Sequence, residues 1–133
     1  MQLSITYKEL ENQILYHFST TVNISVIDDK TICISRKIVS LLQGKLQLHI
    51  ESIEGTDVLL LYNGGFLTKS VINGVILFVK EKLASQVSFT EQNCATVHLA
   101  KIKDLDKIFD LLNLKDILFD TEKINLYLEF KNI

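Results

Sequence analysis

Apolar residues in this chain recur with two rhythms, one of period two and one near 3.6, and the switches between them lay out the elements. Leu3 and Ile5 open a short strand. Thr6-Tyr7-Lys8-Glu9 then has the form of a capping box: Thr6 is placed to accept from the Glu9 amide, while the Glu9 carboxylate reaches back to the amide of Thr6. Tyr7, Leu10, Ile14 and Phe18 follow at helical spacing, which predicts a first helix over 7–18.

The period of two returns in Val22, Ile24 and Val26, and again in Ile32, Ile34 and Ile38 after a turn at Asp28-Asp29-Lys30. Beyond Leu41-Leu42-Gln43-Gly44 it continues as Leu46, Leu48 and Ile50, then turns at Glu54-Gly55-Thr56-Asp57 into Val58, Leu60 and Tyr62. Leu59 and Leu61 make this last strand apolar on both faces, as expected of a strand that is central or covered twice.

Asn63-Gly64-Gly65 is expected to break that strand, and a long helix follows over 66–84. Leu67, Val71, Ile72, Val75, Ile76, Phe78, Val79 and Leu83 fill half its circumference; Lys69, Ser70, Asn73, Lys80 and Glu81 take the other half. Leu77 is an apolar side chain among the polar ones. Gly74 costs about 1 kcal/mol relative to alanine, which a close backbone contact would explain. Val87 and Phe89 form a third hairpin with Val97 and Leu99, turned at Glu91-Gln92-Asn93. A short helix over 104–113 carries Leu105, Ile108, Phe109 and Leu112. The last hairpin pairs Ile117 and Phe119 with Ile124, Leu126, Leu128 and Phe130.

Hairpin links favour antiparallel pairing. The expected fold is therefore α+β: a mostly antiparallel, curved sheet of about eight or nine strands packed on one long central helix (66–84), with two shorter helices (7–18 and 104–113). The chain has no proline and no linker-like tract, so residues 1–133 are expected to form a single domain.

Composition adds that 47% of residues are hydrophobic, a surplus that predicts a large core, a buried interface or an apolar ligand. Formal charge is −2, and Arg36 is the only arginine, so the basic stripe of a nucleic-acid binder is missing and nucleic acid is not an expected partner. The start of the chain does not read as a signal peptide, and apolar runs such as Val75–Val79 are too short to span a bilayer. The expectation is a cytoplasmic protein without a transmembrane segment, with Cys33 and Cys94 as reduced thiols.

Motifs that carry chemistry are few. Asn63-Gly64-Gly65-Phe66-Leu67-Thr68-Lys69-Ser70 ends in Lys-Ser like a phosphate-binding loop, but Thr68 stands where the pattern needs glycine. What survives is a candidate anion site at Gly64, Gly65 and Lys69. His17, placed at the end of the first helix, suits the helix dipole. His49 and Glu51 lie two apart on one strand and His98 on another. Were those strands neighbours, the three could converge on zinc or act as base and orienter, but the solvated outer face of a half-exposed sheet is the favoured account of them. Asp104 and Asp106 are expected in the first turn of the third helix, capping free amides, and the acidic residues from Asp104 to Asp120 form no EF-hand loop. No nucleophile motif is present, so no catalytic residue, metal ligand or cofactor is assigned.

The function expected from these residues is a non-catalytic binding protein, sheltering an apolar small molecule or lipid chain between sheet and long helix. Its ligand would lie on Leu67, Val71, Ile72, Val75, Ile76, Phe78 and Val79. The alternative is a homo-oligomeric interaction module, such as a homodimer, that pairs through an edge strand or the Leu77 side of the helix. A metal-dependent enzyme using the strand-face histidines comes third.

Overall fold

The computed structural model describes residues 1–39, 42–64, 81, 83–89 and 93–131. In chain order these form β1 (Gln2–Thr6), α1 (Tyr7–Phe18), β2 (Asn23–Asp28), β3 (Thr31–Val39), β4 (Leu42–Glu54), β5 (Asp57–Gly64), β6 (Val87–Phe89) and β7 (Cys94–His98). A 3₁₀ turn (Leu99–Lys101), α2 (Leu105–Leu111), β8 (Leu112–Phe119) and β9 (Lys123–Phe130) complete them. The protein is α+β, and every strand pairing among the described residues is antiparallel.

The expected single curved sheet is instead two sheets, a three-stranded one in the order β1-β9-β8 and a six-stranded one in the order β2-β3-β4-β5-β7-β6. Alternation explains the division. Ile24, Ile32, Ile50 and Val58 point from one face of the large sheet, and Leu112, Leu114, Ile117, Phe119 and Leu128 from the small one, into one shared core with Tyr7 and Phe109. The sheets face each other, so β8 covers the large sheet rather than extending it. The expected long helix over 66–84 lies almost wholly outside the described residues, as do the ligand-lining residues Leu67, Val71, Ile72, Val75, Ile76, Phe78 and Val79 placed on it.

Thr6 and Glu9 make both bonds of the capping box. The Glu9 amide donates to Thr6 Oγ1 at 3.1 Å and the Thr6 amide to Glu9 Oε1 at 3.4 Å, starting α1 at Tyr7. Ser19 closes the helix in the left-handed conformation, its amide donating to Leu15 O. His17 sits in the last turn and bonds Gln13 at 3.1 Å. Asp104 does not cap α2: it too is left-handed, at φ 74°, and makes no side-chain cap bond.

Four element boundaries depart from expectation. Leu42, Gln43 and Gly44 belong to β4, pairing with Val39, Lys37 and Arg36, rather than to a connection. Asn63 and Gly64 continue β5, with Gly64 opposite Leu46, so the strand does not break there. The helix expected to reach 113 ends at Leu111, and β8 starts at once with Leu112. Leu112 fits either rhythm, closing the helical set 105–108–109–112 and opening the strand pair Leu112 and Leu114. Both side chains are buried as strand residues. Leu99, expected on β7, opens the 3₁₀ turn instead.

One corner fastens the two sheets. The Phe119 amide donates to Asp29 O at 2.9 Å, and Lys30 Nζ donates to Ile117 O at 2.9 Å and to the Asp116 carboxylate. Lys30 accordingly holds the Asp116 carboxyl below the usual carboxylate range. At the β8–β9 turn, Asp120 accepts from the Glu122 and Lys123 amides at 2.8 Å each and from Asn125 Nδ2 at 3.0 Å; these bonds lower its carboxyl. Asn125, buried beneath β1, also accepts from Ser4 Oγ at 2.7 Å and Gln2 Nε2 at 2.8 Å, tying the first strand to the last hairpin.

Phe109 is 5% exposed within the core, and Phe109→Ala should cost about 3–5 kcal/mol in urea unfolding. Asp28, Asp116 and Asp120 have depressed pKa values, so the stability they contribute is present above the ordinary carboxylate value of 3.8 and is lost as pH falls through their folded values. The melting temperature should thus hold between neutral pH and about pH 5 and fall below about pH 4. Asp120→Asn should make that acid slope shallower in thermal melts.

Candidate functional site

The outer face of the large sheet carries the chain's remaining chemistry. On β2, β3 and β4 it is polar, with Ser25, Cys33 and Gln47 in one register row and Asn23, Ser35 and Lys45 in another. On β5 and β7 it turns apolar: Leu59 stands opposite Thr96, and Leu61 opposite Cys94. Register on β4 slips between Ile50 and Ser52, a bulge with Glu51 as its extra residue. The bulge places Glu51 beside Leu59, Leu61, Cys94 and Thr96, which together line an open depression of about 210 Å³. Leu61 is 37% exposed there, although the sequence reading of β5 as a central strand holds: it lies between β4 and β7.

The histidines do not converge. His49 pairs with Leu61 and His98 with Asp57, so they stand on opposite sides of β5 and four residues apart along it, roughly 13 Å of strand. Among the described residues no three His, Cys, Asp or Glu side chains gather to hold a metal ion. Cys33 and Cys94 are free thiols with β4 and β5 between them, about 14 Å of sheet, too far to bridge. Of the candidate anion site, Gly64 is a strand residue, while Gly65 and Lys69 lie outside the described residues.

Each of two histidines has its own polar row. Thr31, buried on β3 next to His49, links it to Asp28: the Lys30 amide has the largest effect in lowering the Asp28 carboxyl, the Thr31 hydroxyl adds to it, and Thr31 Oγ1 lies 2.7 Å from His49 Nδ1. A hydroxyl has one proton. It can serve only one of these two neighbours as donor at a time.

His98 joins the other row, which the sequence reading missed. Its Nδ1 lies 2.8 Å from Asp57 Oδ1 and its Nε2 lies 2.8 Å from Ser88 Oγ. Asp57 opens β5, His98 ends β7, and Ser88 is the middle residue of β6, the outer strand. An ionised carboxylate can only accept, so Nδ1 carries a proton towards Asp57; in the neutral form of the ring, Nε2 is then left to accept from the Ser88 hydroxyl. No local motif announces this set, because its members are scattered along the sequence. The signal that could have found it is the β6–β7 register, which puts Ser88 opposite Thr96 and diagonal to His98.

Comparison with protein-family models, curated proteins and solved structures gives no significant match. The site is therefore read from its geometry. No helix among the described residues is long and apolar enough to cross a membrane.

The two rows should be energetically separate. His49→Ala and His98→Ala should add to within about 0.5 kcal/mol in a urea-unfolding double-mutant cycle. Asp57→Asn with His98→Ala should depart from additivity, because those side chains touch. Coupling between His49 and His98 would contradict this geometry.

Proposed function

We propose that the protein binds a small apolar group, such as a short alkyl or acyl chain, against the outer face of its large sheet. The observation that carries this reading is the apolar inset of Leu59, Leu61 and Cys94 in a face that is otherwise polar, opening on a depression of about 210 Å³. Half-exposed sheets normally present polar residues outward, and clustered apolar ones mark a ligand or partner surface. The volume lies below the roughly 300–1,000 Å³ of drug-sized sites, which favours a short chain over a whole lipid. Glu51 and Thr96 on the rim supply polar contacts for a head group. The helix half of the pocket expected from the sequence falls outside the described residues, so the sheet half alone supports the reading.

A second reading, self-association, has its own support. Leu111 and Phe130 are 67% and 65% exposed, and the Lys131 amide bonds Leu111 O, which brings the two apolar side chains to the same end of the small sheet. A dimer formed through them would dissociate on Phe130→Glu in sedimentation velocity.

Titration with 1-octanol, followed by NMR of the backbone amides, tests the first reading. Saturable shifts should centre on Leu59, Leu61 and Cys94, and Leu61→Glu should weaken binding at least tenfold while leaving the melting temperature near wild type. Shifts that never saturate, or that Leu61→Glu leaves unchanged, would remove it.

A further inference from the structure

We propose that Ser88, His98 and Asp57 form a nucleophilic triad that hydrolyses esters of short acyl groups. For its acyl pocket this inference rests on the apolar-group reading above; the triad itself rests on its own geometry. Both bonds have the order such chemistry needs: base to nucleophile through Nε2 at 2.8 Å, and base to carboxylate through Nδ1 at 2.8 Å. With Asp57 accepting from Nδ1, the neutral ring takes the Ser88 hydroxyl as donor to Nε2, which is the direction in which the proton must move. The His98 side chain is 20% exposed and that of Asp57 43%. The base is thus partly withdrawn from water while the row stays open at the edge of the sheet.

The neighbouring residues fit an ester. Thr96 stands opposite Ser88 on β7 and also lines the depression, with Leu59 opposite it on the other side. Cross-strand Cβ atoms lie roughly 4.5–5.5 Å apart, so an acyl chain over Leu59 and Leu61 brings its carbonyl carbon towards Ser88 Oγ. The Thr96 hydroxyl then donates to the carbonyl oxygen as it becomes anionic.

In the reaction, Ser88 Oγ bonds the carbonyl carbon and its proton passes to His98 Nε2. The tetrahedral adduct collapses with cleavage of the ester C–O bond, and the Nε2 proton goes to the departing alkoxide, releasing the alcohol. Water then attacks the acyl-serine, giving one proton to Nε2. The acyl–Oγ bond breaks, the Nε2 proton returns to Ser88, and the carboxylic acid leaves. Ester and water become acid and alcohol, with no redox change.

The folded protein, incubated with a fluorophosphonate alkyl ester, should gain one adduct, located on Ser88 by peptide mass spectrometry. It should also turn over p-nitrophenyl butyrate. Ser88→Ala should abolish adduct and turnover, and His98→Ala should slow both by roughly 100-fold or more. Asp57→Asn, in the positioning residue, should lower kcat with KM nearly unchanged, and Thr96→Val should lower kcat likewise. Thermal melts verify that each variant folds; if Ser88→Ala does not, the kcat of Asp57→Asn decides in its place, and an unchanged kcat there rejects the triad. No adduct on wild type, an adduct on another residue, or turnover that survives Ser88→Ala in the folded variant overturns the triad. Octanol binding without an adduct rejects the triad alone, while an adduct without octanol binding rejects only the acyl pocket.

Discussion

The constraint on which the molecule depends is that its two sheets bury their apolar faces against each other. Leu112, Leu114, Ile117 and Phe119 on β8 meet Ile24, Ile32, Ile50 and Val58 in one core, and each side chain so buried contributes about 1.5–3 kcal/mol. Lys30 fixes how the sheets meet, because its ammonium bonds both the Asp116 carboxylate and Ile117 O on the facing strand. The helices are subordinate to this arrangement. α1 carries the chain from the small sheet to the large one, and α2 contributes Phe109 before the chain re-enters the small sheet as β8.

Local chemistry was legible in the sequence wherever the deciding contacts lie within a few residues. The Thr6–Glu9 box set the start of α1, and Gly55, with φ at +64°, turns β4 into β5 as the hairpin pattern requires. Alternation also sorted inward from outward residues along most strands. What failed was the assembly of strands into sheets. Nothing near Leu3 or Ile5 says that β1 will pair with β9 at the far end of the chain, a contact decided by Asn125 and its partners on β1. Leu112 shows the other failure, since one leucine satisfied a helix and a strand at once.

The candidate site was hidden for the same reason. His49 and His98 looked alike as polar residues on strand faces, and only the order β4-β5-β7-β6 separates them. β5 stands between the two, giving His98 the company of Asp57 and Ser88 and leaving His49 with Thr31. Glu51, expected on the His49 face by simple alternation, does reach that face, but as the extra residue of a bulge, beside the apolar inset. Leu59 and Leu61 were the one signal of that inset in the sequence. A strand apolar on both faces needs two partners, and the inner core supplies only one of them.

Position on the sheet gives the outer face its division of labour. Central strands are held on both sides and can carry a rigid apolar floor, whereas β6, three residues long, has a ladder partner only in β7 among the described residues. Such a short edge needs further ties. The His98 amide donates to Gln86 O at 2.7 Å, the Val87 amide to Leu83 O at 3.0 Å, and the ring of Phe89 meets Tyr62 edge-on at 6.0 Å. The Ser88–His98 bond is one more of these ties, made through side chains above the ladder. A serine that helps hold its own strand has its hydroxyl fixed in direction by the fold, with little rotor freedom left to lose when a substrate arrives. Pairing an edge strand and aiming a nucleophile are, at Ser88, the same hydrogen bond.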